Sequence, residues 1–327
     1  MTTLVTGSSG HLGEALVRTL RSFGSEVIGL DIVSSSFTDC MGSITDRAFV
    51  RRSMRGAKVV FHAAMLHKPH VGTHSRQDFV DTNITGALNL LEEATEARVD
   101  AFVFTSTTSV YGDALAQPAG SPATWVTEDL QPVPKNIYGV TKAAAENLCE
   151  LFHRKHDLRC IILRTSRFFP EADDDKAVRD AYDDANTKAN EYLFRRVDIA
   201  DAVSAHLLAA ERAPAIGFGR YIISATTPFL TSDLAELRSD APSVTRRRVP
   251  EYEAVYAQRG WRMVPSIDRV YDNQRARIEL GWQPRHDFRS VIDRLSRGEE
   301  IMSPLARLIG SKGYHERTFS EGPYPVE

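Results

Sequence analysis

The chain has 327 residues, 42% hydrophobic and 25% charged, with a formal net charge of −3. These values suit one large globular unit or two joined lobes, and they exclude the basic footprint of a nucleic-acid-binding domain. No run approaches the ~18 apolar residues that span a bilayer, so no membrane partner is expected. The three cysteines, Cys40, Cys149 and Cys160, are scattered. They form neither a disulfide framework nor a metal-ligand spacing, and no metal is expected. A strand-like Leu4-Val5 so close to the initiator Met leaves a signal peptide no place to sit. A cytoplasmic protein is the expectation.

The predicted elements alternate through the first half. Strands are read over 3–6, 26–31, 58–62, 101–106 and 160–164. A helix is read over 11–23. A second follows Val80, Ile84, Ala87, Leu88 and Leu91 at spacings of three and four. A third runs over about 138–155, with Ala144, Ala145, Leu148, Leu151 and Phe152 inward. Strand–helix alternation predicts an α/β fold with a Rossmann-type doubly wound parallel sheet. Past Arg164 the rhythm breaks. Residues 171–191 carry eight acidic side chains against Lys176, Arg179 and Lys188; they read as a solvated helix face. Sheet and helix then return over 195–197 and 198–211, with Asp198 as a helix cap, and a strand follows over 219–224. The organisation is a cofactor lobe over 1–165, completed by roughly 195–225, and a smaller α/β substrate lobe drawn mainly from 166–327. Tyr314, Phe319 and Tyr324 in the tail are read as covering a pocket, joining an interface or hanging free.

Gly7, Gly10 and Gly13 stand between the first strand and the first helix. Such a turn needs backbone freedom, lets a pyrophosphate approach main-chain N–H groups, and lets the helix pack closely on the sheet. The helix N-terminus then meets the phosphate charge. Asp31 ends the second strand, where a carboxylate accepts hydrogen bonds from both ribose hydroxyls. It repels a 2′-phosphate, and residues 32–36 offer no Arg or Lys to neutralise one. The cofactor is therefore read as NAD rather than NADP. Small residues Ala63 and Ala64 after the third strand let a cofactor pass. Asn83 is read as fixing the neighbouring loop or as a plain helix-start residue.

Tyr138 and Lys142 lie four apart and share a helix face. A free phenol has a pKa of about 10; a nearby ammonium and an oxidised nicotinamide lower it. Tyr138 is then the base toward a substrate hydroxyl, and Thr107 holds the same oxygen.

With these motifs in order, the chain resembles the extended short-chain dehydrogenase/reductases of the NAD-dependent epimerase/dehydratase group. The matches are residues 6–13, Asp31, 62–64, 83–86, 105–112, 138–142, 196–201 and 280–284. The resemblance implies cofactor contacts at Gly7, Ser9, Gly10, His11, Leu12, Gly13, Asp31, Ile32, Ala63, Ala64, Asn83, Thr105, Tyr138 and Lys142, the last on the nicotinamide ribose. It also implies a homodimer built on the two long helices. Dehydratases of the group carry an Asp-Glu pair after the catalytic Thr. Here Thr108-Ser109 stand there, and neither ionises at neutral pH. Epimerisation of a sugar or nucleotide-sugar alcohol is therefore the first expectation and net dehydrogenation the second. A nucleotide-sensing protein without catalysis is the third, opposed by the survival of Tyr138 and Lys142. On the substrate side the resemblance thins. Arg167 replaces an Asn that contacts the sugar nucleotide, and Glu191 stands where a phosphate-binding Arg is expected. Arg262 retains another, but beside Val264 and Pro265. The acidic stretch repels a diphosphate if it faces the pocket. His67, Lys68, His70 and His74 form a polar loop after the third long strand. Contact with an anionic substrate through His67, Lys68 and Thr108 is the functional alternative; the spacing matches no metal site.

Overall fold

The computed structural model describes residues 2–313 together with His315, Phe319, Gly322 and Tyr324; Tyr314 lies outside the described residues. The short apolar runs become strands β1 (Thr2–Thr6), β2 (Val27–Asp31), β3 (Cys40–Met41), β4 (Ala57–His62), β5 (Ala101–Thr107), β6 (Thr124–Val126), β7 (Cys160–Thr165), β8 (Phe218–Ile223) and β9 (Arg269–Tyr271). Seven form one sheet in the order β3-β2-β1-β4-β5-β7-β8, and every pairing is parallel. The order reverses between β1 and β4, so a crevice opens at their carboxyl ends, where such sheets bind ligands. All residues of β5 and β7 are buried, as a central parallel strand covered on both faces requires.

Helices α1 (His11–Ser22), α2 (Arg47–Ser53), α3 (Arg76–Val80), α4 (Gly86–Ala97), α5 (Ile137–His156), α6 (Lys176–Ala181), α7 (Asp184–Glu191) and α8 (Ile199–Ile216) follow. One sheet face packs on Leu12, Leu16, Val203 and Ala209 of α1 and α8. The other packs on Val50, Leu90, Leu91, Ala145 and Phe152 of α2, α4 and α5. A separate hydrophobic core gathers Leu193, Phe229, Tyr256 and Phe288, beside the parallel pair β6–β9. The chain then comes home: Ala306 and Ile309 of the helix Pro304–Ile309 join the first core. No helix among the described residues is long and apolar enough to cross a membrane.

Four sequence expectations need correction. The helix through Val80 and Leu91 is broken by a π-helical turn, Asp81–Thr85, which turns Asn83 inward. No strand forms over 195–197; Arg196 makes only an isolated bridge with Arg167. Leu151 is not inward but 39% exposed. The acidic stretch is a solvated face only in part: Asp175, Asp180, Asp183 and Asp184 are exposed, whereas Glu171, Asp173, Asp174 and Glu191 are buried. Asp198 does cap α8, accepting the Ala200 N–H at 2.8 Å.

Candidate active site

The glycine turn is shaped for close approach. Gly7 has φ +74°, and a Cβ there would sit 2.7 Å from the Ala64 nitrogen; a Cβ on Gly13 would fall 1.9 Å from the Gly7 carbonyl oxygen. Only glycine satisfies both positions. Gly10 begins α1 in extended conformation with no side-chain cap, so the first-turn N–H groups are left for an anion. Asp31 closes the other side. Its Oδ2 accepts the Ser9 N–H at 3.0 Å and its Oδ1 the Val33 N–H at 2.9 Å. Each oxygen keeps acceptor capacity for a ribose hydroxyl. Leu12 is buried beside the turn, and Ile32 is 69% exposed at the rim. Thr6 Oγ1 meets His62 Nδ1 at 2.9 Å and accepts the Ala64 N–H at 3.2 Å, which holds Ala63-Ala64 against the turn. This cradle fits a dinucleotide.

Thr107, at the carboxyl end of β5, accepts the Ser109 N–H at 3.1 Å, which leaves its own O–H to donate on the Tyr138 side; Thr108 starts the turn that follows. Tyr138 is buried on the first turn of α5, with Met65 Sδ 4.0 Å from its Oη. Burial pushes the phenol up to about 12, opposed by a hydrogen bond from Thr107. The expected depression by a Lys142 ammonium is absent from this state. Lys142 Nζ instead donates to the Thr105 carbonyl at 2.6 Å and lies 3.8 Å over the Phe104 ring. Burial lowers it to about 7, against the pull of Glu146 and Cys149. Thr105 is fixed in turn: Oγ1 pairs with His206 Nε2 at 2.9 Å, and His206 Nδ1 donates to the Ala202 carbonyl at 2.7 Å. Burial holds His206 down at about 4, so it is neutral. Asn83 clamps the β4 loop to α5. It exchanges hydrogen bonds with the Leu66 backbone at 2.9 Å and donates to Thr141 Oγ1 at 3.0 Å.

One turn beyond Lys142, Glu146 takes Ser106 Oγ at 2.5 Å and Arg164 Nη2 at 2.7 Å. Arg164 also donates to Tyr111 Oη at 3.1 Å. This buried pair, missed from the sequence, seats α5 on β5 and β7; the signal was Glu146 at i+4 from Lys142 on the same face.

The substrate-side candidates divide. His67 stacks on Phe169 (centroids 5.5 Å, 27°), and His11 meets Phe169 edge-on at 5.3 Å. Burial, then the neighbouring His70 and His11, pushes His67 well below its ordinary value; it is a neutral ring, not a cation. Lys68 is ion-paired with Asp174. Glu171 accepts from His11 Nε2 at 2.8 Å, Ser311 Oγ at 2.9 Å and the Lys312 N–H at 3.0 Å. Against its burial these hold Glu171 at about 2. Arg167 donates to the carbonyls of Glu171 and Ala172 at 3.2 and 2.9 Å and to Asp174 at 3.4 Å. Arg262 lies apart from this group: its guanidinium donates to the Ala181 carbonyl and sits over the Tyr182 ring at 5.4 Å. His315 Nε2 reaches the Pro69 carbonyl at 2.9 Å, which sets His315 against the His67–His70 loop. A broad depression of about 560 Å³ lined by Arg47, Arg51 and Glu93 lies beside the start of β4 and the end of α4, the sheet edge opposite this chemistry.

A dinucleotide cradle at the switch point of a doubly wound sheet, with a Thr, a Tyr and a Lys beside it, defines an NAD-linked oxidoreductase class. The model of the NAD-dependent epimerase/dehydratase family matches residues 3–222, and the chain belongs to that family of enzymes. It is 25% identical to a UDP-glucose 4-epimerase of Lactobacillus helveticus over 321 residues, 88% of this chain and 93% of the relative. It is 30% identical to a 4-hydroxy-2-methyl-3-oxo-4-farnesyl-3,4-dihydroquinoline-1-oxide ketoreductase of Stigmatella aurantiaca over 231 residues, 65% of this chain and 66% of the relative. Among solved structures, a short-chain dehydrogenase/reductase superfamily protein from Agrobacterium tumefaciens with bound NAD superposes with TM-score 0.64 at 23% identity, over 91% of this chain and 96% of that one.

Proposed function

We propose that the protein interconverts a secondary alcohol and its ketone on a sugar-like substrate, with Thr107, Tyr138 and Lys142 as the working groups. The observation that carries this reading is the placement of buried Thr107 at the carboxyl end of β5 with buried Tyr138 and Lys142 on the first turns of α5, beside the glycine cradle. Bound NAD supplies a two-electron sink that takes up and returns a hydride. The chain's own part is to hold the alcohol oxygen and move its proton. Thr107 donates to that oxygen, and Tyr138 Oη takes its proton. Lys142, freed from the Thr105 carbonyl, stabilises the phenolate and reaches the nicotinamide ribose. Gly7, Ser9, Gly10, His11, Leu12 and Gly13 hold the pyrophosphate; Asp31 and Ile32 hold the adenosine ribose.

Epimerisation, in which the ketone turns and is reduced on its other face, is the first reading, in keeping with the epimerase relatives. Net oxidation or reduction is the second, favoured by the ketoreductase relative. The two separate on cofactor behaviour. An epimerase releases bound NAD when denatured and converts substrate with none added. A dehydrogenase builds up NADH in proportion to substrate. Failure of both across a panel of sugars, polyols and their ketones rejects the assignment. We further assign the outer stripe of α5, where Val140 is 48% and Leu151 39% exposed, to a second copy of the chain. A solution mass near 36.4 kDa rather than its double rejects that assignment.

A further inference from the structure

Resting on the cofactor part of the reading above, we infer that the C-terminal segment from Ser311 is a strap across the cofactor crevice, and that NAD enters and leaves only when it lifts. The crevice opens where the sheet order reverses, between the loop after β1 and the loop after β4. The strap is fastened to both. Lys312 Nζ pairs with Glu14 on the first turn of α1, the turn whose N–H groups face a pyrophosphate. His315 Nε2 donates to the Pro69 carbonyl at 2.9 Å, and its ring meets His70 edge-on at 5.5 Å. That loop leads back to Met65, whose sulfur lies 4.0 Å from Tyr138 Oη. Three residues of chain extend at most about 10 Å, so the stretch from Lys312 to His315 ties one lip of the crevice to the other.

A third fastening comes from the segment after β7. Glu171 is buried. Its Oε1 takes Ser311 Oγ at 2.9 Å and the Lys312 N–H at 3.0 Å, and the same oxygen meets His11 Nε2 at 2.8 Å. His11 is the first residue of α1, so Glu171 joins strap and cradle directly. Farther along, Gly322 packs on Arg179, whose guanidinium nitrogens stand 3.0 Å from where a Cβ would be, and Tyr324 is buried. The root is fixed as well, because Ala306 and Ile309 belong to the first core. Between root and strap lies a hinge. Gly310 and Gly313, at φ +61° and +67°, bracket Ser311 and Lys312, and small residues at the ends of a moving segment absorb its backbone change.

These fastenings use the Glu14 and Glu171 carboxylates and the Pro69 carbonyl. The N–H groups of the glycine turn and the spare acceptor capacity of Asp31 stay with the dinucleotide. A closure that neither competes with the ligand nor depends on it slows entry and exit alike and leaves the equilibrium constant nearly as it was. Slow exchange suits an enzyme that takes up a hydride and returns it within one turnover, as epimerisation requires. A dehydrogenase must release its reduced cofactor in every cycle.

The test is stopped-flow binding of NADH to the full-length protein, stripped of nucleotide for association and chased with excess NAD for dissociation. Lys312→Ala combined with His315→Ala removes the fastenings on both lips. Arg18 remains on Glu14 at 2.6 Å and the helix at the root keeps its core contacts, so the fold stands. Both rates are expected to rise about 10-fold or more, with Kd kept within about 3-fold. The direction of the association rate decides. Loss of a lysine beside the binding site of a negatively charged dinucleotide slows the encounter, whereas loss of a gate speeds it. Unchanged or slower association overturns the inference. So does faster dissociation alone, which marks the strap as a plain cofactor contact. NADH exchange involves no turnover, so either result leaves the alcohol chemistry of Thr107, Tyr138 and Lys142 to stand or fall by its own tests.

Discussion

Tyr138→Phe retains NAD and loses turnover by about 10²- to 10⁴-fold, the usual contribution of a positioned acid–base group. The phenol is only 7% exposed. Its hydroxyl has the Met65 sulfur at 4.0 Å and the Thr107 hydroxyl as neighbours. Neither is a strong acceptor left orphaned when the oxygen goes, so the fold tolerates the change. The cradle at Gly7, Gly13 and Asp31 is untouched, which separates loss of chemistry from loss of cofactor. The pH profile carries a second signature. Burial pushes the phenol up to about 12 before cofactor and substrate arrive. A positive nicotinamide and a charged Lys142 pull it down, though not below the range where titration shows. Oxidation by the wild type therefore rises with pH until the phenol is ionised, while the residual rate of the variant is flat across the same interval. Oxidation rates measured from NADH formation over a pH series test both points. An unchanged rate in the variant removes Tyr138 from the chemistry.

The central fold was legible because its physics is local. Buried parallel strands such as β5 and β7 must read as continuous apolar runs, and the glycine turn leaves a fixed spacing. The short pairings β3 and β6–β9, two or three residues long, carry too few residues for a period to show. The π-helical turn at Asp81–Thr85 kept the apolar spacing of a continuous helix; what breaks it is the distant hydrogen bonding of Asn83 with Leu66 and Thr141. The buried half of the acidic stretch was missed for a related reason. Charge density says solvent unless partners are known, and the partners of Asp173 and Glu191 are Arg167, Arg195 and Arg196. Arg195 and Arg196 come from a segment read as strand. Spacing puts Tyr138 and Lys142 on one face of a helix, and both lie on α5, but the resting place of Lys142 on the Thr105 carbonyl depends on burial that no spacing encodes.

Lys142→Met should give a more stable and nearly inactive protein. Lys142 is 1% exposed, and its ammonium rests on one carbonyl at 2.6 Å and one aromatic face at 3.8 Å. Burial lowers it from 10.5 to about 7, and at about 1.4 kcal/mol per unit the charged form is disfavoured by several kcal/mol. A methionine of similar length keeps the packing, and its sulfur is at home against the Phe104 ring. The gain in unfolding free energy should be on the order of 2 kcal/mol near neutral pH once the lost hydrogen bond is set against it. Linkage fixes its pH dependence. Below about 7 the lysine is charged in both folded and unfolded chains, and the whole penalty is present. From about 7 to 10.5 the unfolded chain holds the extra proton, so wild-type stability rises with pH and the advantage of the variant shrinks; above 10.5 it vanishes. Turnover should fall about 10²-fold or more, since no ammonium remains to stabilise the Tyr138 phenolate. Denaturant unfolding of both proteins over a pH series measures the gap. A variant less stable than the wild type at neutral pH, or a gap independent of pH, shows that Lys142 is not a buried charge held at a cost for function.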